Sequence, residues 1–323
     1  MEHGIFCISL DLELFWGVRD HRTINDYGGN IRNVHIIVPR LLELFKQYNI
    51  HCTWATVGIL FCADKQELLK NIPEKKPNYK HTEYDPYKYI DGNLLDEIYH
   101  FCPDLIAGIN TYPGQEIATH TFSHYYCLEE GQTIESFGAD IKAAVRIAKE
   151  KNYTINSIVF PRNQFNEEYL QVCKANGIAA YRGNELNWLY KAKSRNKENN
   201  FRRINRLADA YINLSGHNTY ILKKMQPLEM VNIPSSRFLR PYDKKLQLFE
   251  NLRLKRICNG ITYAAKNKEL YHLWWHPHNF GSDIGENFSF LDKILQHFSR
   301  MKAEYEMQSL NMNEITNQLN SKD

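Results

Sequence analysis

The chain has 323 residues, 43% of them hydrophobic, and 40 Lys and Arg stand against 37 Asp and Glu for a net charge of +3. This is enough to bury one large α/β core or two small ones, and the near balance of charge argues against a nucleic-acid-binding class, whose footprint is a strong basic excess. No apolar run reaches membrane-spanning length, and no basic leader with an apolar core precedes the first hydrophobic run, so a cytoplasmic protein without a transmembrane segment is expected. The seven cysteines (Cys7, Cys52, Cys62, Cys102, Cys127, Cys173, Cys258) are scattered without a C-x-x-C pair. That pattern suits reduced, packed thiols rather than a disulfide framework or a catalytic nucleophile.

The first element is the run "ISLDLELFWG", which reads as a strand with Asp11 and Glu13 on one face and Leu10, Leu12 and Leu14 on the other. "NVHIIVPRLLELFKQYN" follows with Val34, Ile37, Val38, Leu41, Leu42 and Phe45 at helical spacing, and Pro39 restricts that helix to starting close by. "HCTWATVGIL" predicts a second strand over about Cys52 to Val57, completing a strand, helix, strand unit. From about 61 to 113 the alternation breaks down into a Pro-, Lys- and Tyr-rich insertion, whose length marks it as a lid or binding loop. The strands "GQEIATH", "INSIVFP" and "IAAYR" then alternate with helices. A basic stretch (Lys191, Lys193, Arg195, Lys197, Arg202, Arg203, Arg206), a helical segment, the aromatic strand "LYHLWWHPH" and a helix from about Glu286 to Met307 complete the domain. Residues 311–323 read as a polar, frayed tail. The whole predicts a single barrel-like domain over 1–310, with functional residues at strand ends.

Two acids sharing a strand face cost free energy unless a cation, a proton or water offsets the repulsion. Partners for them lie elsewhere in the chain. "His120-Thr121-Phe122-Ser123-His124" places two imidazoles four residues apart after a strand, a spacing suited to gripping one divalent ion. "Trp274-Trp275-His276-Pro277-His278" ends another strand, and Pro277 takes the chain out of the sheet, leaving His276 at the strand end and His278 on the following loop. Taken alone, each of these motifs is equally consistent with solvated acids or core histidines.

Together and in this order, "SLDLE", "HTFSH" and "WWHPH" resemble the motifs of the polysaccharide deacetylase (NodB-homology) family of metal-dependent carbohydrate esterases. "HTFSH" fits that family's H-[ST]-x-x-H motif at every fixed position, whereas "SLDLE" spaces its acids by one residue where T-F-D-D-G is common. The resemblance implies a deformed (β/α)7-type barrel with the 61–113 insertion after the second strand. It implies one divalent ion, Zn2+ foremost, on Glu13, His120 and His124, with Asp11 as general base and His276 as general acid. The family's third motif has Arg two residues before a Pro, where this chain has Val159, so Arg162 and Arg182 are both candidates for orienting the base. Trp16 and Trp275 are candidate apolar walls, and His278 a candidate substrate or supporting contact. The expected reaction is removal of acetyl from an N-acetylated sugar, a cytoplasmic intermediate of surface-glycan assembly whose carrier phosphates the basic stretch would meet. Two alternatives are a C–N hydrolase acting on a small amide or ureide and a non-catalytic glycan-binding protein. The oligomeric state is not legible in the sequence.

Overall fold

The computed structural model describes residues 2–190, 200–222 and 230–321. At the middle of the sheet lies β1 (Ile5–Leu12), buried along its whole length. It pairs in parallel with β2 (Cys52–Thr56) on one side and β8 (Leu270–Trp275) on the other. Beyond β2 come β3 (Gln115–Thr119), β4 (Ser157–Ile158), β5 (Ala180–Tyr181) and β6 (Val231–Asn232); beyond β8 comes β7 (Arg237–Phe238), again all parallel. A short β9 (Gln308–Ser309) pairs with the start of β1.

The two edges of this sheet are neighbours in sequence. From Asn232 at the end of β6 to Arg237 at the start of β7, five Cα steps span at most about 18 Å. A flat sheet of eight strands would hold those edges about 34 Å apart. The sheet must therefore curl, and the link itself stitches the seam: the Ser235 N–H donates to Gly183 O (2.9 Å) and the Ser236 N–H to His272 O (2.8 Å). The result is the deformed parallel β/α barrel. Its additional strands, β6, β7 and β9, have two residues each, too short to leave a period in the sequence.

Alternation along β1 separates floor from mouth. Phe6, Ile8, Leu10 and Leu12 pack into the large core shared with the helices, while Ile5 and Cys7 join an inner cluster with Ala55, Val159, Ala180, Ile233 and Leu270. The inner row thus runs from apolar residues through Ser9 to Asp11 at the strand end. The floor is closed by α11 (Met312–Asn320, with Asn311 as cap), which places Met312, Ile315 and Leu319 in that inner cluster. The expected frayed tail over 311–323 is thus corrected: a polar composition conceals an apolar stripe at i, i+3 and i+7, and the folded unit continues past 310.

Helix α1 (Ile24–Tyr48) starts earlier than Pro39 suggested, because Thr23 and Asp26 form a capping box; Pro39 sits mid-helix on the exposed side. The 61–113 insertion is not an irregular loop. It folds into α2 (Lys65–Asn71), α3 (Pro86–Gly92), α4 (Glu97–His100) and α5 (Pro103–Asn110), the first three capped by Asp64, Asp85 and Asp96. Its Tyr79, Tyr84 and Tyr87 are buried. The remaining helices are α6 (Ile134–Glu150), α7 (Glu167–Ala175), α8 (Asn200–Asp209), α9 (Glu250–Asn267) and α10 (Ile284–Tyr305). No helix among the described residues is long and apolar enough to cross a membrane. Of the basic stretch, Lys191, Lys193, Arg195 and Lys197 lie outside the described residues, and Arg202, Arg203 and Arg206 lie on α8.

Candidate active site

Three strand ends supply the chemistry: Asp11 and Glu13 at the end of β1, His120 and His124 after β3, and His276 and His278 after β8. They converge on one carboxylate. Glu13 Oε2 lies 3.4 Å from His120 Nε2 and 3.1 Å from His124 Nε2; Glu13 Oε1 lies 3.0 Å from His278 Nε2 and 3.6 Å from His276 Nε2. Gly17 makes room for this carboxylate, since a Cβ there would stand 1.9 Å from its carboxyl carbon. Burial alone would raise the Glu13 pKa, but the imidazoles of His276, His120, His124 and His278 around it hold it well below the usual range.

The "HTFSH" stretch is an irregular loop, not a helical turn. Thr121 (φ 64°) and His124 (φ 58°) occupy the left-handed region, and Asp140 of α6 pins the loop by accepting the Phe122 N–H (2.6 Å) and the Ser123 hydroxyl. The His120 tautomer is fixed as well. Its Nδ1 lies 2.8 Å from Val159 O, which can only accept, so in the neutral ring the lone pair sits on Nε2. That lone pair faces a carboxylate oxygen, and His120 Nε2 has no hydrogen-bond partner among the described residues. His124, pushed down to about 4 chiefly by burial, is a neutral imidazole on the same oxygen. The lone pair of His120 Nε2 and those of the carboxylate repel unless a cation lies between them. Donor separations of 3.1 and 3.4 Å match the edge of a tetrahedron with bonds of about 2.0–2.1 Å, roughly 3.3 Å. Glu13, His120 and His124 therefore fit a divalent ion with one carboxylate and two imidazoles.

Glu13, His276 and His278 form a second group of the same composition. Both ring nitrogens of His278 already have partners, Tyr27 Oη at 2.9 Å and Glu13 at 3.0 Å, so it steadies the far oxygen of the carboxylate. With Asp11 already balanced by an arginine, two divalent ions sharing only Glu13 would leave a net charge of about +3 in a buried space, so the first group takes the ion and the second supports it.

Asp11 receives both guanidinium nitrogens of Arg182, at 2.7 and 2.8 Å. Burial alone would raise its pKa; Arg182 and the neighbouring imidazoles hold it below the ordinary value instead. A directed chain fixes that arginine. His272 Nδ1 donates to Ile233 O (3.2 Å), so His272 Nε2 accepts from the Ser9 hydroxyl (2.8 Å), whose oxygen accepts from Arg182 Nη1 (2.9 Å). Arg182 also donates to Asn163 Oδ1 and stacks 4.2 Å from the Trp274 ring centroid. His276 stands at the mouth with its side chain 23% exposed and Nε2 3.7 Å from Asp11 Oδ2. Its Nδ1 pairs with Asn279 Oδ1 at 3.1 Å, so in the protonated ring the second proton sits on Nε2, facing the site.

Several expected residues lie apart from this centre. Arg162 pairs with Asp20 and Glu129 and lies over the Tyr126 ring, at 4.0 Å to its centroid, so it does not contact Asp11. Trp16 is fully buried, donating to His100 O (2.8 Å), and Trp275 is fully buried beside Phe280, so neither presents a wall to a substrate. Sequence reasoning missed Ser9, His272, Tyr27 and Gly17. Only Ser9 carried a signal, sharing the inner face with Asp11 two residues on. The surface groove between α1 and α10, lined by Arg40, Glu43 and Phe288, contains none of these groups.

Comparison with known proteins adds the fold. No protein-family model matches the chain, and no curated protein matches it. Solved structures do. A candidate polysaccharide deacetylase from Mycobacterium smegmatis superposes with a TM-score of 0.62 at 11% identity, covering 100% of this chain and 92% of that one. The allantoinase Puue superposes at 0.57 with 9% identity, covering 98% and 90%, and a GH57-type branching enzyme from Pyrococcus horikoshii at 0.55 with 13% identity, covering 99% and 71%. The likeness is one of fold. Proteins described as a deacetylase, an allantoinase and a branching enzyme share this fold, so the chemistry must be argued from the side chains.

Proposed function

We propose that this protein is a metal-dependent hydrolase that removes the acetyl group from an N-acetylated sugar. The observation that carries the reading is the juxtaposition of Glu13, His120 and His124, which fit a divalent ion, Zn2+ foremost, with Asp11 and His276 at its edge. When bound, such an ion supplies Lewis acidity toward an acyl oxygen and acidifies water.

The chain's own residues supply the proton transfers. Asp11, kept ionised by Arg182, accepts the proton of the water that attacks the acyl carbon. His276, protonated on Nε2, donates to the amide nitrogen as the C–N bond breaks, so the amine leaves neutral and acetate carries the water oxygen. Arg182 orients the base, while Tyr27 and His278 orient Glu13. Glycoside cleavage, the bond class of the branching enzyme, is disfavoured because it needs a protonated carboxylic acid beside an ionised one. Both acids here are held below their ordinary pKa values.

The substrate reading is an intermediate of surface-glycan assembly in a reducing compartment, supported by seven free thiols. The test is acetate release from a panel of free and nucleotide-linked N-acetyl sugars, with small amides and ureides alongside, using Zn2+-loaded protein. Turnover of amides or ureides alone would transfer the site to small C–N substrates. Sugar binding without acetate release would make the protein a glycan-binding module.

A further inference from the structure

Arginines gather where α8, β7 and α9 meet. Arg202 donates to Trp188 O and Leu189 O (both 3.0 Å), and Arg206 to Leu189 O (3.2 Å). Arg237 and Arg256 pair with Asp209, and Arg253 pairs with Glu250. Arg240, in their midst, differs: among the described residues its partly buried guanidinium makes neither a hydrogen bond nor an ion pair. Its strongest electrostatic neighbours are Tyr190, Tyr211, Arg206 and Arg237, and burial with the two cations pushes its pKa below the ordinary arginine value. The two phenols are themselves pushed up and stay neutral. A partly buried cation without a carboxylate costs free energy, and an anion from outside would supply the missing counter-charge.

There is room for one. Arg240 lines a cleft of about 650 Å³ with Tyr211, Tyr242, Lys244, Lys245 and Gln247, a size that suits a small-molecule ligand. Of the two acids on its rim, Asp243 caps the next turn by accepting the Lys245 N–H (2.8 Å), and Asp283 is exposed to water. A guanidinium fork, two ammonium groups and the Tyr211 hydroxyl offer more donors than one carboxylate can accept, and they match the oxygens and double charge of a phosphate. The cleft also lies at the mouth end of the barrel. Phe238 of β7 pairs with Trp274 of β8, and the Leu239 N–H donates to Trp274 O (2.8 Å). Arg240 follows Phe238 at the same interval as His276 follows Trp274, so the two leave adjacent strands at one level, and the Phe238 ring lies 5.9 Å from that of His276. We propose that this cleft binds a phosphate or diphosphate group, with Arg240 as its principal donor. That the group belongs to the substrate, a sugar joined to a nucleotide or lipid diphosphate, rests on the hydrolase reading; the anion binding itself does not.

The test is calorimetric titration of the full chain with inorganic pyrophosphate, with no acetylated sugar present. The expected result is saturable binding that raises the melting temperature of the parent and is weakened about tenfold or more in Arg240→Gln. Because Arg240 lacks a counter-charge, Arg240→Gln should not lower the melting temperature of the anion-free protein. Lys244→Gln/Lys245→Gln, at two exposed positions, should also weaken binding, and this variant keeps the proposal falsifiable if Arg240→Gln does not fold. His120→Ala should bind pyrophosphate as the parent does. Absence of pyrophosphate binding, or equal binding by Arg240→Gln and the parent, overturns the proposal, as does a loss in His120→Ala alone, which would put the anion on the candidate ion. Uridine diphosphate binding more tightly than pyrophosphate assigns a nucleotide carrier, and farnesyl diphosphate doing so assigns a lipid carrier; equal binding of all three confines recognition to the diphosphate. Pyrophosphate binding without acetate release from free or nucleotide-linked N-acetyl sugars fails the hydrolase reading alone, and acetate release without pyrophosphate binding fails the cleft alone.

Discussion

Asp11 and Asp209 are both buried aspartates that face arginines, and the contrast between them separates a site from a scaffold. Asp209 is closed: Oδ1 accepts from Leu214 N, Ser215 N and Arg256, and Oδ2 from Tyr190 Oη, Ser215 Oγ and Arg237. Asp11 is open: its hydrogen-bond donors are the two nitrogens of Arg182, and beyond them stands His276 at 3.7 Å. Both carboxylates are held ionised by guanidinium charge, but only Asp11 keeps lone-pair capacity for a substrate proton. A buried ion pair by itself is weak evidence of function; an unsaturated one at a strand end, beside a group that fits a metal, is much stronger.

The largest expected effect tests that contrast directly. Asp11→Asn should retain bound metal while acetate release per folded molecule falls on the order of a hundred- to ten-thousandfold, with some loss of melting temperature because buried Arg182 loses its counter-charge. Asp209→Asn should keep the rate per folded molecule and lose several degrees of melting temperature, because two buried arginines lose their counter-charge. A scan of melting temperature, metal content and initial rate on both variants decides it. If Asp209→Asn abolishes turnover without destabilising the fold, saturation does not distinguish the two roles.

Much of the open site was legible because its residues sit in local patterns: alternation puts Asp11 and Glu13 on one strand side, "HTFSH" has a fixed spacing, and Pro277 ends β8. The choice between Arg162 and Arg182 was not, since both follow strand ends and only the sheet order β5-β4-β3-β2-β1, curled, brings Arg182 across to Asp11. Composition does not tell which aromatic next to a site faces inward, so the sequence leaves Trp16 and Trp275 as candidate walls although both are fully buried. The closed site was illegible throughout. Asp209, Arg237 and Arg256 come from α8, β7 and α9, and nothing local joins them. The fold of the tail is hidden in the sequence because polar residues outnumber its stripe of Met312, Ile315 and Leu319.

Next in size comes the space under Glu13. Gly17→Ala places a methyl where the Glu13 carboxylate lies, so that carboxylate must leave His120 and His124. Metal affinity should fall about ten- to a hundredfold, the loss typical of misdirected ligands, with activity restored in part by excess Zn2+. Gly29→Ala, in open space on α1, should leave affinity unchanged. Equal affinity for Gly17→Ala and the parent, by competition with a chelating dye, would mean Glu13 is not a ligand.

The closed aspartate also predicts an acid dependence. Burial alone would raise the Asp209 pKa, but Arg237 and its hydrogen bonds hold it at about 2, below the unfolded value of 3.8. A lowered folded pKa contributes stability that is fully present above about pH 4 and is lost as pH falls toward 2. The difference corresponds to about 2 kcal/mol at most, less where water screens the pair. Urea midpoints of the parent between pH 5 and pH 3 should therefore begin to fall more steeply than those of Asp209→Asn. Parallel profiles would remove the assignment.

The smallest effect concerns the chain that steadies the open aspartate. Ser9→Ala removes the hydroxyl that accepts from Arg182 Nη1 and donates to His272 Nε2, leaving both ends without that partner. Because His272, pushed down to about 3 chiefly by burial, stays neutral, it cannot compensate by pairing with Asp11 as a cation. Arg182 keeps its two bonds to Asp11 and its contact with Asn163, so the base is loosened rather than lost. One hydrogen bond contributes about 1 kcal/mol, or roughly fivefold in rate. The loss should fall on kcat with KM and metal content unchanged, since Ser9 lies beneath Asp11 on the inner row of β1 and away from the mouth. A rise in KM alone would place Ser9 against the substrate, and an unchanged kcat would mean that Arg182 needs no support from below.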